Sequence, residues 1–366
     1  MIGGFAAAGL SSLLVYNLEK NLRQRLRIAR TSNREGVWQG LTLAIPARNE
    51  EKNLRILLEQ IVAQKYRPER VLVLNDGSTD STPQILEDFH QRYPWVQVIQ
   101  GASLPSGWRG KVWALEQLTR SAETSELLFV DADIRFHSSQ SLGALADEIG
   151  GDTYDFFTVF PKNEVPWDSG LLVDQIYTHL YYFLPHNAER LNVASAVAGC
   201  GQVMWAKRSL LVENSALARI RSSTHDGLKL ARLHRGHGLR VAFADGSRAF
   251  TCLNYSSFSE AFRGFSRNSY EATGSLISVA AISGVLFWAF VMPFVMIPFF
   301  LLSPGWLVAF LMILYGQLRV AQECGLGVSH IWLTPVKASA SVATHVWGAV
   351  RWKLGLSTQW RGRLVN

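Results

Sequence analysis

Between Glu271 and Arg319 the chain carries no charged residue. As one helix from Leu276 to Leu318 this stretch would run about 65 Å, roughly twice the ~30 Å hydrocarbon core of a bilayer. It must therefore fold back on itself, and Ser303-Pro304-Gly305 supplies the turn of a hairpin over 276–318. Pro293 and Pro298 kink the first arm. The remaining residues have to be organised around a membrane attachment.

The flanks agree with that constraint. Residues 2–18 are apolar or small, and Lys20, Arg23, Arg25, Arg27, Arg30 and Arg34 follow directly. A secretory signal places its positive charges ahead of the apolar stretch, so 1–19 reads as an anchor with these arginines on the cytoplasmic face. The segment is also short enough for an interfacial helix. Phe258, Phe262 and Phe265 recur at helical spacing with Arg263 and Arg267 between them, so 251–275 reads as an amphipathic helix lying on the membrane surface. A crossing by 331–350 would strand Arg351, Lys353, Arg361 and Arg363 outside and bury Lys337, so 319–366 reads as a membrane-associated segment, surface-lying or re-entrant.

Net charge is +7, but the excess sits largely in the basic run and the C-terminal cluster, which argues against a nucleic-acid partner. Three scattered cysteines, Cys200, Cys252 and Cys324, make no disulfide framework and suit a reducing compartment. His234 and His237 read as surface residues.

From 38 to 250 the pattern alternates between strand and helix. Apolar runs at 41–45, 71–74, 96–99 and 127–130 read as strands, with a helical spacing of Leu54, Leu57, Leu58 and Ile61 between the first two. This alternation predicts a parallel, doubly wound α/β sheet. Asp80 or Ser81 caps the helix after the second strand, with Pro83 in its first turn. Three polar loops then share one sheet edge: 46–51, 75–80 and 131–133. That edge is where open α/β sheets hold ligands.

The last loop carries Asp131-Ala132-Asp133 directly after the buried run Leu127-Leu128-Phe129-Val130. Two carboxylates this close repel unless a cation lies near them, and a hard divalent ion shared with phosphate oxygens meets that need. No Gly-x-Gly-x-x-Gly follows the first strand, which argues against a nicotinamide or flavin site. Gly110-Lys111 is followed by Val112, which excludes a Walker loop.

The motifs Pro46-Ala47-Arg48-Asn49-Glu50-Glu51, Asn75-Asp76-Gly77-Ser78-Thr79-Asp80 and Asp131-Ala132-Asp133 together resemble the donor site of inverting family-2 glycosyltransferases. Leu104-Pro105-Ser106-Gly107-Trp108-Arg109-Gly110-Lys111 is similar to the "P-x-G-W-x-G-K" stretch of membrane-bound carotenoid and hopene-associated glycosyltransferases. Gly199-Cys200-Gly201-Gln202, Gly264-Phe265-Ser266-Arg267-Asn268 and Trp360-Arg361-Gly362-Arg363 resemble further family stretches, so the likeness extends from about 38 to 363.

The resemblance implies a GT-A (nucleotide-diphospho-sugar transferase, Rossmann-like) domain joined to transmembrane helices. Pro46, Arg48, Glu50 and Asp76 would surround the nucleoside of a UDP-sugar, and Lys111 would face the diphosphate. Asp131 would lie near the ribose and, with Asp133, at a Mg²⁺ or Mn²⁺ ion. Asp226 matches the catalytic base, with His225 where the family has Glu. Arg267 would close over the diphosphate or contact lipid headgroups. The implied reaction is sugar transfer to a hydroxyl or carboxyl of a lipid or isoprenoid at the cytoplasmic membrane face. Two rivals are a polyprenyl-phosphate acceptor, which needs no base, and an inactive nucleotide-binding scaffold. The aromatics Trp167, Tyr177, Tyr181, Tyr182 and Phe183 read as packing residues.

Overall fold

The structure, a computed structural model, describes residues 2–186, 193–327, 329–356, 358–360 and 363–365. Its strands in chain order are β1 (Leu26–Arg27), β2 (Gly36–Ala47), β3 (Tyr66–Asn75), β4 (Val96–Gln100), β5 (Glu126–Val130) and β6 (Ile134–Phe136). There follow β7 (Phe156–Phe160), β8 (Lys162–Asn163), β9 (Val203–Lys207), β10 (Val241–Asp245) and β11 (Phe250–Cys252). Eight of them form one sheet in the order β1-β10-β7-β9-β5-β2-β3-β4, β6-β11-β8 form a second, and two further strands, Thr358–Trp360 and Arg363–Val365, pair antiparallel as a third.

Alternating side chains fill both faces of the large sheet. Leu43, Ile45, Val71, Val73, Leu128 and Val130 point to one side, against helices α2 (Leu54–Val62), α3 (Thr82–Arg92) and α5 (Ser141–Ile149). Ala44, Leu72, Leu74, Leu127 and Phe129 point to the other, against α4 (Gly110–Ser121). Strands buried on both faces read as continuous apolar runs, which is why the sequence exposes them so plainly. Asp80 caps α3: its carboxylate accepts from Thr82 N at 3.0 Å, and Ser81 makes no side-chain cap.

The sheet departs from the expected parallel pattern at one strand. β9 runs antiparallel to both β5 and β7. The chain enters β9 from the turn at 199–202, beside the end of β5, so it can only descend. After β4 the order reverses: β5 pairs on the opposite side of β2 from β3. The loops after β2 and β5 thus flank a topological switch point, the crevice where such sheets bind ligands.

The helices beyond the sheet form a second layer. α1 (Ile2–Gln24) extends past the expected 1–19 and lies along α10 (Pro304–Cys324). Gly4 and Gly305 make that approach possible: a β-carbon on Gly305 would meet Gly4 carbonyl carbon at 2.4 Å. Arg25 and Arg27, expected on the cytoplasmic face, pair with Asp245 (3.5 and 3.1 Å) and Glu323 (2.6 and 3.3 Å). β1 then adds to the sheet beside β10, so these arginines join helical layer and sheet.

Leu276–Val295 and Pro304–Cys324 are long and apolar enough to cross a bilayer; among the described residues they are the two that qualify. The first comprises α9 (Leu276–Phe290) and a short helix Met292–Val295 restarted at Pro293. Ser303 precedes Pro304 at the start of α10, which places the turn as expected. A last long helix, α11 (Thr334–Lys353), packs on α9 and on α8 (Phe258–Thr273). Its Lys337 is buried against Asp174 and His330.

The phenylalanine face of α8 is largely covered by protein. Phe258, Phe262 and Phe265 are half-buried against Leu172 and Val173 of α6 (Trp167–Val173) and Ala340 of α11. Tyr177, Tyr181 and Tyr182 are core residues as expected, whereas Trp167 is exposed. His234, expected at the surface, is buried and stacked on Phe156 at 4.9 Å. Of the Trp360-Arg361-Gly362-Arg363 stretch, Arg361 and Gly362 lie outside the described residues.

Candidate functional site

Local hydrogen bonding builds the donor-side loops. Asn49 takes a left-handed backbone (φ 54°), and its side-chain oxygen accepts from Thr79 N at 2.8 Å. Asn75 Oδ1 accepts from Ser78 N at 3.0 Å, closing the turn that Gly77 enters with φ 65°. Glu51 N donates to Asp80 at 3.1 Å and Ser81 N to Glu51 at 3.1 Å, locking the loops after β2 and β3 together. Arg48 Nη1 donates to Asp76 O at 2.7 Å, with the Asp76 carboxylate 3.9 Å away. Glu50 is buried, and its carboxylate accepts from Asn53 at 3.0 Å.

Asp226 begins helix α7 (Asp226–Gly236) and is buried. It faces the turn at 199–202, which comes so close that only glycine fits. A β-carbon on Gly201 would lie 2.3 Å from Asp226 Oδ1, and one on Gly227 would lie 2.4 Å from the Cys200 carbonyl carbon. Lys111, at the start of α4, reaches into this junction. Its Nζ donates to Asp131 Oδ2 at 2.7 Å and to Gly201 O at 2.9 Å, and stands 3.2 Å from Asp226 Oδ2. One ammonium therefore bridges the Asp-x-Asp loop and the base candidate.

The electrostatics follow. Burial and the neighbouring Asp133 and Asp226 charges push Asp131 up to about 7 despite the Lys111 ammonium. Burial opposes the charge on Lys111, but the Asp131 and Asp226 carboxylates outweigh it and hold the ammonium well above its ordinary range. Burial lowers the pKa of His225, outweighing the neighbouring Asp226 and Glu271 charges that would raise it.

All ten residues singled out from sequence line one cavity of about 660 Å³: Pro46, Arg48, Glu50, Asp76, Lys111, Asp131, Asp133, His225, Asp226 and Arg267. The resemblance put Lys111 toward a diphosphate; in the structure it is engaged by carboxylates.

Glu271 was not singled out. It belongs to α8, and its carboxylate accepts from Ser223 Oγ, Thr224 N (2.8 Å) and Thr224 Oγ1 (2.6 Å). Ser223 Oγ in turn accepts from His225 N at 3.0 Å. Glu271 thereby fixes the loop that leads into Asp226. The only trace in sequence is that Glu271 is the last charge before the uncharged stretch. Arg109 was also missed: its N–H donates to Arg221 O at 2.7 Å and its Nε to Ser222 O at 3.1 Å, tying the 104–111 stretch to the same loop.

A two-carboxylate donor set fits a small hard cation. Among the described residues no group of three or more His, Cys, Asp or Glu stands ready to hold a metal. Asp131 and Asp133 would leave most positions to substrate oxygens and water, as Mg²⁺ prefers. Three carboxylates, those of Asp131, Asp133 and Asp226, line this cavity with the Lys111 ammonium between two of them, a setting in which a divalent cation would be electrostatically favoured.

The mixed sheet, the switch-point loops and the acidic cluster define the GT-A class of nucleotide-diphospho-sugar transferase folds. Residues 42–209 match the model of Glycosyl transferase family 2, and the chain carries a domain of that family. It is similar to 4,4'-diaponeurosporenoate glycosyltransferases of Staphylococcus aureus: 37% identical over 110 residues in strain bovine RF122 / ET3-1 and 38% in strain MRSA252. Each match covers 30% of this chain and 28% of the relative. Among solved structures, the mannosyltransferase PcManGT from Pyrobaculum calidifontis, in complex with GDP-Man and Mn²⁺, shares the fold. Its TM-score is 0.57 at 16% identity, over 94% of this chain and 95% of that one.

Proposed function

We propose that this protein is a membrane-attached, inverting glycosyltransferase. It moves a sugar from a nucleoside diphosphate, UDP being the leading candidate, to a hydroxyl or carboxyl of a lipid acceptor at the cytoplasmic membrane face. The observation that carries this reading is the single cavity that joins three donor loops, the Lys111 bridge and Asp226. The similarity to diaponeurosporenoate glycosyltransferases supports a lipid acceptor, and the two apolar helices support membrane attachment.

Pro46, Arg48, Glu50 and Asp76 hold the nucleoside, and Arg267 and Lys111 approach the diphosphate. Asp131 and Asp133 would hold Mg²⁺ or Mn²⁺, which when bound neutralises charge on the diphosphate. Asp226 accepts the proton of the attacking hydroxyl as its oxygen bonds to the anomeric carbon and the carbon–diphosphate bond breaks on the opposite face. Lys111 adds cationic charge where the leaving group gains its negative charge. Lys111 Nζ stands 3.2 Å from Asp226 Oδ2, so a donor phosphate that draws the ammonium toward itself uncovers the base.

Full-length protein in lipid nanodiscs, given UDP-sugars and a membrane lipid extract, should produce a lipid heavier by one sugar residue by mass spectrometry. Asp226→Asn should abolish transfer to a hydroxyl acceptor while leaving UDP binding intact. Undiminished transfer by Asp226→Asn would point to an acceptor that is already anionic, a lipid carboxylate or a lipid phosphate.

A further inference from the structure

The cavity does not end at the donor site. It continues past Asp226 into an arm walled by Ile176, Leu180 and Phe183, by Ala272 at the end of α8, and by Ile282 of α9. α9 belongs to the first candidate span, and its outer surface exposes Ile277 and Phe287. One helix thus presents apolar side chains to the cavity and to its outer surface. Resting on the proposed function, we infer that this arm is the binding site for the apolar chain of the acceptor, which enters from the bilayer past α9 and α11 and brings its reactive group to Asp226.

The arm also says something about the occupant. Gln175 is buried with its Oε1 lacking a hydrogen-bond partner. One turn on, His179 Nδ1 lies 2.7 Å from Gln175 O, a contact in which the ring nitrogen must donate; Nε2 is then left as an acceptor, and it too has no partner. His345 of α11 stands 5.6 Å from the His179 ring with an unpartnered Nδ1. A plain alkane would leave these atoms unpaired in an apolar wall, whereas a hydroxyl or a protonated carboxyl on an amphipathic chain can donate to the two acceptors. The occupant is therefore an amphipathic lipid and not a plain hydrocarbon.

Photo-crosslinking of the full chain in phosphatidylcholine nanodiscs tests this directly. The probes are hexadecanol and hexadecanoic acid carrying a mid-chain diazirine, with labelled residues mapped by mass spectrometry. Labelling of Ile176, Phe183 or Ile282 is expected with at least one probe, and Ile282→Trp and Ala272→Phe, which fill the arm from two walls, should each remove most of it. UDP titration of the same variants should be unchanged, so a filled arm is told apart from a lost donor site. Label confined to outward residues such as Ile277 and Leu301, and indifferent to both substitutions, would overturn the assignment. Should either variant lose UDP binding through misfolding, the label map of the unaltered protein decides alone. Arm labelling in a protein that binds no nucleotide would keep the lipid site and sink the transferase reading.

Discussion

Lys111 and Asp226 form an ion pair, and that contact sets what each can do alone. Removing the ammonium leaves Asp131, Asp133 and Asp226 facing one cavity with less cationic balance, while a leaving diphosphate loses a partner. Lys111→Met should lower the turnover rate by about 10²-fold, the cost of one preorganised electrostatic contact. A variant with normal turnover would show that the lysine only fills space. Glu271 acts at one remove, as a positioning residue. Burial raises its pKa, but the hydrogen bonds from Ser223 and Thr224 outweigh that and set it below the ordinary carboxylate value. A depressed folded-state pKa contributes stability above the unfolded value of 4.5, and that contribution fades as pH falls through the folded value. Glu271→Gln should therefore be less stable than the parent by about 1–3 kcal/mol near pH 7, with the gap closing in acid. Thermal unfolding in detergent at several pH values checks this; a gap that does not narrow as the pH is lowered from 7 into the acid range would contradict it.

Among the elements, the sheet was legible because strands buried on both faces are written as unbroken apolar runs, as Leu127-Leu128-Phe129-Val130 shows. The donor loops were legible because Asn, Asp and Gly turn chemistry is local. Nothing comparable marked β9, whose direction depends on where the 199–202 turn sits in space. Nor did local pattern reveal Arg25 and Arg27, whose partners Asp245 and Glu323 are over two hundred residues away. By charge alone they belonged with a basic membrane flank. Their pairing makes its own prediction. Asp245 and Arg25 side chains are 6% and 7% exposed, so Asp245→Asn leaves buried cationic charge poorly matched. Loss of about 3 kcal/mol of stability is expected, with little dependence on salt. A shift within error would mean Glu323 alone suffices.

At the scale of the whole molecule, a family 2 domain and a helical layer share one cavity. α8 is the joint: it carries Arg267 and Ala272 into the cavity, fixes the base loop through Glu271, and leads within a few residues into the first candidate span. Sequence exposed the two halves separately, one through motifs and one through hydropathy; the joint was hidden because its contacts link distant segments. The account rests most heavily on the acidic donor site. Calorimetric titration of UDP and GDP into the detergent-solubilised full chain, with and without Mn²⁺ and beside Asp133→Ala, tests it. Metal-dependent binding of one nucleotide, lost in Asp133→Ala, is the predicted result. Folded protein that binds neither nucleotide under any of these conditions would contradict the account.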